Sequence, residues 1–153
     1  MIDVGKPAPD FTAQKNSGGT FTLSDMKGQV VVLYFYPKDD IPGCTKQAKE
    51  FSEHLAAFEK AGAIVVGISK DSVKKHGKFI TKHDLKVVLV ADEDLVVNEK
   101  YGVWVEKKLY GRKYMGTERT TVLIDKAGVI QRLWSKVKLP GHVEEVLAAV
   151  QAL

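Results

Sequence analysis

Hydrophobic and polar positions along the chain switch repeatedly between a strand period and a helix period. Phe11-Thr12-Ala13-Gln14 and Thr20-Phe21-Thr22-Leu23 alternate around Asn16-Ser17-Gly18-Gly19, which predicts an N-terminal β-hairpin. Ser24-Asp25-Met26-Lys27-Gly28 predicts a turn or a single helical turn. Val30 to Tyr36 is an unbroken apolar run of β-branched and aromatic residues, as expected of a strand buried on both faces. Pro37 ends it, and Asp39-Asp40-Ile41-Pro42-Gly43 reads as a tight loop. From Cys44 the period is helical. Cys44, Ala48, Phe51, Leu55 and Phe58 lie on one face, predicting a helix to about Ala61 with Gly62 as its stop.

Ala63–Ser69 predicts a second buried strand, and Asp71 or Ser72 an N-cap for a helix through about His83. Val87–Val90 reads as a short strand, with Asp92 capping a helix from Leu95 to Tyr101. Val103 to Tyr114 reads as irregular and basic, with one extended piece at Val103-Trp104-Val105. Thr120–Asp125, a turn at Lys126-Ala127-Gly128 and Val129–Trp134 predict a second hairpin. Pro140 is expected to begin the last helix, whose stripe is Val143, Val146, Leu147, Val150 and Leu153. Strands alternating with helices and closing on a hairpin imply an α/β fold, a mixed sheet covered on both faces. There is no repeat, low-complexity stretch or linker, so a single domain over residues 1–153 is expected.

Composition narrows the function classes. A hydrophobic content of 44% with 27% charged residues is that of an ordinary globular protein. No apolar run reaches the roughly 18 residues of a membrane span. Met1 to Gly5 lacks the basic start and apolar core of a signal peptide, so the expectation is cytoplasmic, with no membrane partner. The net charge of +4 is spread over short pairs such as Lys74-Lys75, Lys107-Lys108 and Arg112-Lys113, so no nucleic-acid partner is expected. One cysteine permits no internal disulfide and fits a reducing compartment. His54, His76, His83 and His142 lack metal-ligand spacing, and His76 and His83 read as solvated. No nucleotide-binding loop is present, and no cofactor or metal is expected.

Cys44 carries the chemistry. In the first turn of a helix, unpaired N–H groups and the helix dipole favour an anion, and a thiolate there is a nucleophile with a lowered pKa. The periodicity turns Cys44 toward the buried face, into a recessed pocket. The alternative is a buried structural cysteine packing as a small hydrophobe.

Tyr36-Pro37-Lys38-Asp39-Asp40-Ile41-Pro42-Gly43-Cys44-Thr45 resembles the active-site loop of the peroxiredoxins, in the bacterioferritin-comigratory or peroxiredoxin Q branch. Gly5-Lys6-Pro7-Ala8-Pro9-Asp10-Phe11 is similar to the family's N-terminal signature, and Gly116 to Asp125 to the strand bearing its arginine. The resemblance covers essentially the whole chain. It implies a thioredoxin-like fold and a peroxidase in which Cys44 attacks peroxide and becomes a sulfenic acid. Arg119 would hold the thiolate and the peroxide, Pro37 would wall the pocket, and Gln47 would orient Arg119. Backbone groups of Gly43 and Cys44 would stabilise the shifting charge. The implied reductant is an external thiol, with thioredoxin, glutaredoxin and glutathione as candidates, and the implied assembly a monomer, with a dimer as alternative.

Two positions depart from the branch. Ile41 stands where the family has Thr or Ser, and Lys49 where many members carry a second cysteine. Ile41 keeps open a second reading, a redox sensor or interaction protein of the same fold. A thiol–disulfide oxidoreductase is disfavoured, since Lys46 and Gln47 follow Thr45 in place of a Cys-x-x-Cys pattern.

Overall fold

A computed structural model describes residues 1–153. The apolar run predicted as a central strand is β3, Val30–Phe35, and all six of its residues are buried. It pairs in parallel with β4, Ala63–Ser69, which pairs in parallel with β5, Val88–Ala91. On the other side β3 pairs antiparallel with β8, Thr120–Ile124, and β8 with β9, Ile130–Trp134. The N-terminal hairpin forms as expected from β1, Thr12–Lys15, and β2, Thr20–Thr22, and β1 closes the sheet against β5. The result is one seven-stranded mixed sheet in the order β2-β1-β5-β4-β3-β8-β9.

Alternate residues of β3 enter two cores, as the period of a strand requires. Val30, Val32 and Tyr34 pack with Cys44, Ala48, Phe51, Phe58, Phe79 and Val146. These come from helices α1 (Pro42–Glu53), α2 (Leu55–Lys60), α3 (Val73–His83) and α5 (His142–Gln151). Val31, Leu33 and Phe35 face the other way, against Phe11, Phe21, and Val97 and Tyr101 at α4, Val96–Lys100. Strands buried on both faces explain why β3 and β4 read as continuous apolar runs. Ser72, one of two candidate caps, accepts the Lys75 N–H at 3.1 Å, and Asp92 accepts the N–H groups of Val97 and Asn98.

Three expectations are corrected. The helix predicted from Cys44 to Ala61 begins at Pro42 and breaks at His54, where ψ is 2°. There the His54 ring Nδ1 lies 2.9 Å from the Glu50 carbonyl, which also takes the His54 N–H, and such side-chain competition loosens a helix. The apolar stripe resumes in α2, so the pattern conceals the break. The last helix begins at His142 because Gly141 adopts a left-handed φ of 73°.

The third correction concerns Val103 to Tyr114. This stretch enters an antiparallel hairpin of β6, Trp104–Leu109, and β7, Arg112–Thr117, separate from the main sheet. Tyr110 and Gly111 both have positive φ, as a two-residue hairpin turn requires. Every side chain from Lys108 to Met115 is exposed, so no buried face imposed an alternation that the sequence could display.

Gly67, in β4, lies against the Tyr34 ring. A Cβ there would meet Tyr34 Cζ at 2.6 Å and Leu89 Cδ2 at 2.8 Å. Both neighbours are fully buried and cannot swing away. Gly67→Ala is therefore expected to destabilise the protein by about 1–3 kcal/mol, the usual cost of overpacking. Urea denaturation should show this as a lower midpoint at unchanged slope.

Candidate active site

The end of β3 delivers the loop that leads to Cys44. Pro42 sits in the first turn of α1, where its missing N–H costs nothing. The first hydrogen bond of the helix runs from Thr45 N–H to Ile41 O, 2.9 Å, so the N–H groups of Gly43 and Cys44 have no intrahelical acceptor. Cys44 is 1% exposed and points into the helix-side core, next to that concentration of donors.

Arg119 reaches the same place from β8, which begins one residue later. Its Nη2 donates to Cys44 Sγ at 3.3 Å, and its Nη1 donates to Gln47 Oε1 at 2.6 Å. Gln47, one turn after Cys44, is 1% exposed. The arginine backbone is held as well, its carbonyl accepting the Val137 N–H at 3.0 Å. The half-buried cation and its two buried partners form a hydrogen-bonded group. Chemically, it can hold an anionic sulfur and present an unshared guanidinium edge and helix N–H groups to an oxygen bound beside it.

The chain is similar over nearly its whole length to known proteins. The AhpC/TSA family profile matches residues 4–133. A Coxiella burnetii protein bearing the bcp name is 53% identical over 146 residues, covering 95% of this chain and 97% of its own. Peroxiredoxin Bcp of Bacillus subtilis is 45% identical over 150 residues, covering 98% and 96%. The chain belongs to the peroxiredoxin family. Among solved structures, the Xanthomonas campestris bacterioferritin comigratory protein, described for its alkyl peroxide reduction activity, superposes with a TM-score of 0.89. It is 39% identical, covering 93% of this chain and 90% of its own. Peroxiredoxins are thiol peroxidases, and this one has the thioredoxin-like fold with an N-terminal hairpin.

The structure of this peroxiredoxin brings together four of the six residues singled out from sequence: Cys44, Arg119, Gln47 and Gly43. A Cβ on Gly43 would lie 3.5 Å from Arg119 Nη2 and 3.4 Å from Leu139 Cδ1. Ile41 packs half-buried against the core cluster that contains Cys44. Pro37 is half-buried at the end of β3, outside that hydrogen-bonded group. Leu139 was not foreseen; it lies 95 residues from Cys44 in a stretch with no periodic pattern.

The loop itself is clamped by residues that sequence reasoning placed in solvent. His76 is fully buried, its Nδ1 2.6 Å from Asp39 Oδ2 and its Nε2 2.9 Å from the Val90 carbonyl. Asp39 Oδ1 accepts the Tyr36 hydroxyl at 2.6 Å. Burial, with Tyr34 and Asp39 nearby, pushes the Tyr36 hydroxyl well above its usual range, so it stays a donor. The Asp39 N–H donates to Asp71 Oδ2, 2.9 Å. Asp39, Asp71 and His76 lie close enough to share a metal ion, but their atoms satisfy one another and the backbone. On the outer side of α3, His83 Nε2 lies 2.8 Å and Lys82 Nζ 2.7 Å from the Asp40 carboxylate. Those hydrogen bonds, His83 first, hold Asp40 below the usual carboxyl range. Asp40 therefore keeps its charge at neutral pH and loses it only as acid protonates it below its ordinary range.

A neutral amide at position 47 leaves the Arg119 charge free to act on sulfur. Gln47→Glu would give the guanidinium a carboxylate partner at 2.6 Å distance from Nη1. The expected outcome is a Cys44–peroxide rate about tenfold lower or more, from a loss of roughly 1.4 kcal/mol of cation assistance. Stopped-flow mixing of reduced protein with hydrogen peroxide measures it.

Proposed function

We propose that Cys44 is the peroxidatic nucleophile of a one-cysteine cycle acting on hydrogen peroxide and organic hydroperoxides. The contact from Arg119 Nη2 to Cys44 Sγ at 3.3 Å, braced by Gln47, carries this reading. The thiolate attacks the terminal peroxide oxygen. The S–O bond forms as the O–O bond breaks, and the other oxygen leaves with a proton as water or alcohol. Arg119 and the N–H groups of Gly43 and Cys44 steady the charge as it moves along the S–O–O axis. Cys44 becomes a sulfenic acid, the first rung of thiol oxidation. With Lys49 in place of a second cysteine, an external thiol in a reducing compartment such as the cytoplasm completes the cycle. Pro37 and Ile41 serve as pocket wall. The alkyl peroxide activity of the Xanthomonas campestris relative supports the organic hydroperoxide substrates.

Single-turnover oxidation of the protein by hydrogen peroxide and by cumene hydroperoxide tests the assignment. Rapid loss of the Cys44 thiol, far faster than for a free thiol, is expected, with Cys44→Ser retaining the fold and consuming no peroxide. A free-thiol rate, or normal turnover in Cys44→Ser, would sink it.

Ile41 favours a slower enzyme and keeps the sensor reading in view. It occupies the N-cap of α1 with no side-chain hydrogen bond to give, whereas threonine offers a donor and an acceptor. Ile41→Thr is expected to speed peroxide attack by up to about 10- to 100-fold, the worth of a hydrogen bond to a charged group. General alkylation of Cys44 by iodoacetamide should change little. A rate unmoved by the substitution and close to that of free thiol would favour the sensor.

A further inference from the structure

We propose that the β6–β7 hairpin is the docking surface for the protein dithiol that reduces oxidised Cys44, and that this partner presents acidic and apolar groups around its thiols. The proposal rests on the peroxidase reading above. Its basis is a concentration of unusual surface in one element. Leu109, Tyr110, Tyr114 and Met115 are all exposed, Tyr110 at 97%, whereas the other exposed large apolar residues, Met1, Val4, Val96 and Leu153, are scattered. Leu109 and Tyr114 share one face of the hairpin beside the turn residue Tyr110, while Met115 faces the other way; exposed apolar groups gathered in this way mark an interaction site.

The charge is concentrated there too. Four of the 23 Lys and Arg residues and one of the 19 acidic residues lie between Trp104 and Thr117. The rest of the chain, with 19 cationic and 18 acidic side chains, is close to neutral. The pairs that looked dispersed in sequence are folded together, since Lys108 faces Lys113 and Leu109 faces Arg112 across the hairpin. Lys107 and Tyr114 pair on the same face as Leu109 and Arg112, so cations alternate with apolar groups. Such a surface complements an acidic, apolar-edged partner and repels a basic one.

The position identifies the occupant. Both roots of the hairpin lie at the end of the sheet where β3 delivers the Cys44 loop. Trp104 sits under Lys70, just beyond β4, and Thr117 precedes Arg119 by two residues. The chain has no second cysteine, so a thiol must come from outside. In the reduction, a partner thiolate attacks the Cys44 sulfenic sulfur, the S–S bond forms, and hydroxide leaves with a proton as water. The partner's second thiolate then attacks its own sulfur, releasing Cys44 thiolate and leaving the partner a disulfide, two electrons having passed to Cys44.

Thioredoxin regenerated by its NADPH-dependent reductase is the probe, with dithiothreitol as a reductant too small to need docking. The variants are Lys107→Glu/Arg112→Glu, on the face that carries Leu109 and Tyr114, and, separately, Tyr110→Asn, which tolerates the positive φ of the turn. Expected are a drop in kcat/KM for thioredoxin of about tenfold or more in the charge-reversal variant, and salt sensitivity in the wild type. Turnover with dithiothreitol and the single-turnover oxidation of Cys44 should stay unchanged. Unaltered thioredoxin efficiency overturns the proposal, as does an equal loss with both reductants. Wild type served by dithiothreitol but by neither thioredoxin nor glutaredoxin overturns it while leaving the peroxidase reading intact. Loss of binding to a labelled single-stranded oligonucleotide, with thioredoxin turnover preserved, overturns it in favour of nucleic acid. A wild type that fails to react with peroxide at all removes the reading on which it rests.

Discussion

Phe35 of β3 faces Thr120 of β8 in an antiparallel register, and the meeting of Cys44 with Arg119 follows from that pairing. Both strands are buried throughout, so a slip of one residue would send every side chain of a strand into the opposite core, whose close packing is fitted to other shapes. The core therefore holds the register, and the register sets where each strand hands over to its loop. One loop turns into α1 and carries sulfur; the other brings the guanidinium. Neither position needs to be specified by the polar residues themselves. The hydrogen bonds at Cys44 are the product of a hydrophobic constraint.

The polar groups around the site divide the remaining work. Arg119 is shared between sulfur and a neutral amide, which fixes its direction without cancelling its charge. The loop before Cys44 is held on a different side, by the carboxylates of Asp39 and Asp40 against α3. Buried polar groups of this kind are costly unless fully partnered, and here His76, Tyr36, Asp39 and Asp71 complete one another. The clamp keeps the loop taut between the end of β3 and the first turn of α1.

What could be read from the sequence follows from how far each feature reaches. The buried strands and the thiol at a helix start announce themselves within a dozen residues, and both were legible. Arg119 has no local signal; its importance came through resemblance to a family. His76 was misread as solvated because its two partners, Asp39 and Val90, lie 37 and 14 residues away. Its place on the buried side of α3 has no mark in a sequence window. The β6–β7 hairpin was missed for the opposite reason. With both faces wet, it has no apolar period, and its turn residues, Tyr110-Gly111, lack the Asn or Asp that usually announces such a turn. The break at His54 was hidden because the stripe of α1 continues into α2.

That break bears on how the buried sulfur becomes reachable by anything as large as a protein. Cys44 is 1% exposed, so a macromolecular thiol of the kind proposed above would need the beginning of α1 to loosen. In an uninterrupted helix, cooperativity would carry the melting onward toward β4. Here His54 acts as a firebreak. The first turn, from Pro42 to Thr45, could loosen while Phe51 and, beyond the break, Phe58 stay in the core. An opening at Cys44 would then be a local event, in a cooperative unit smaller than the fold.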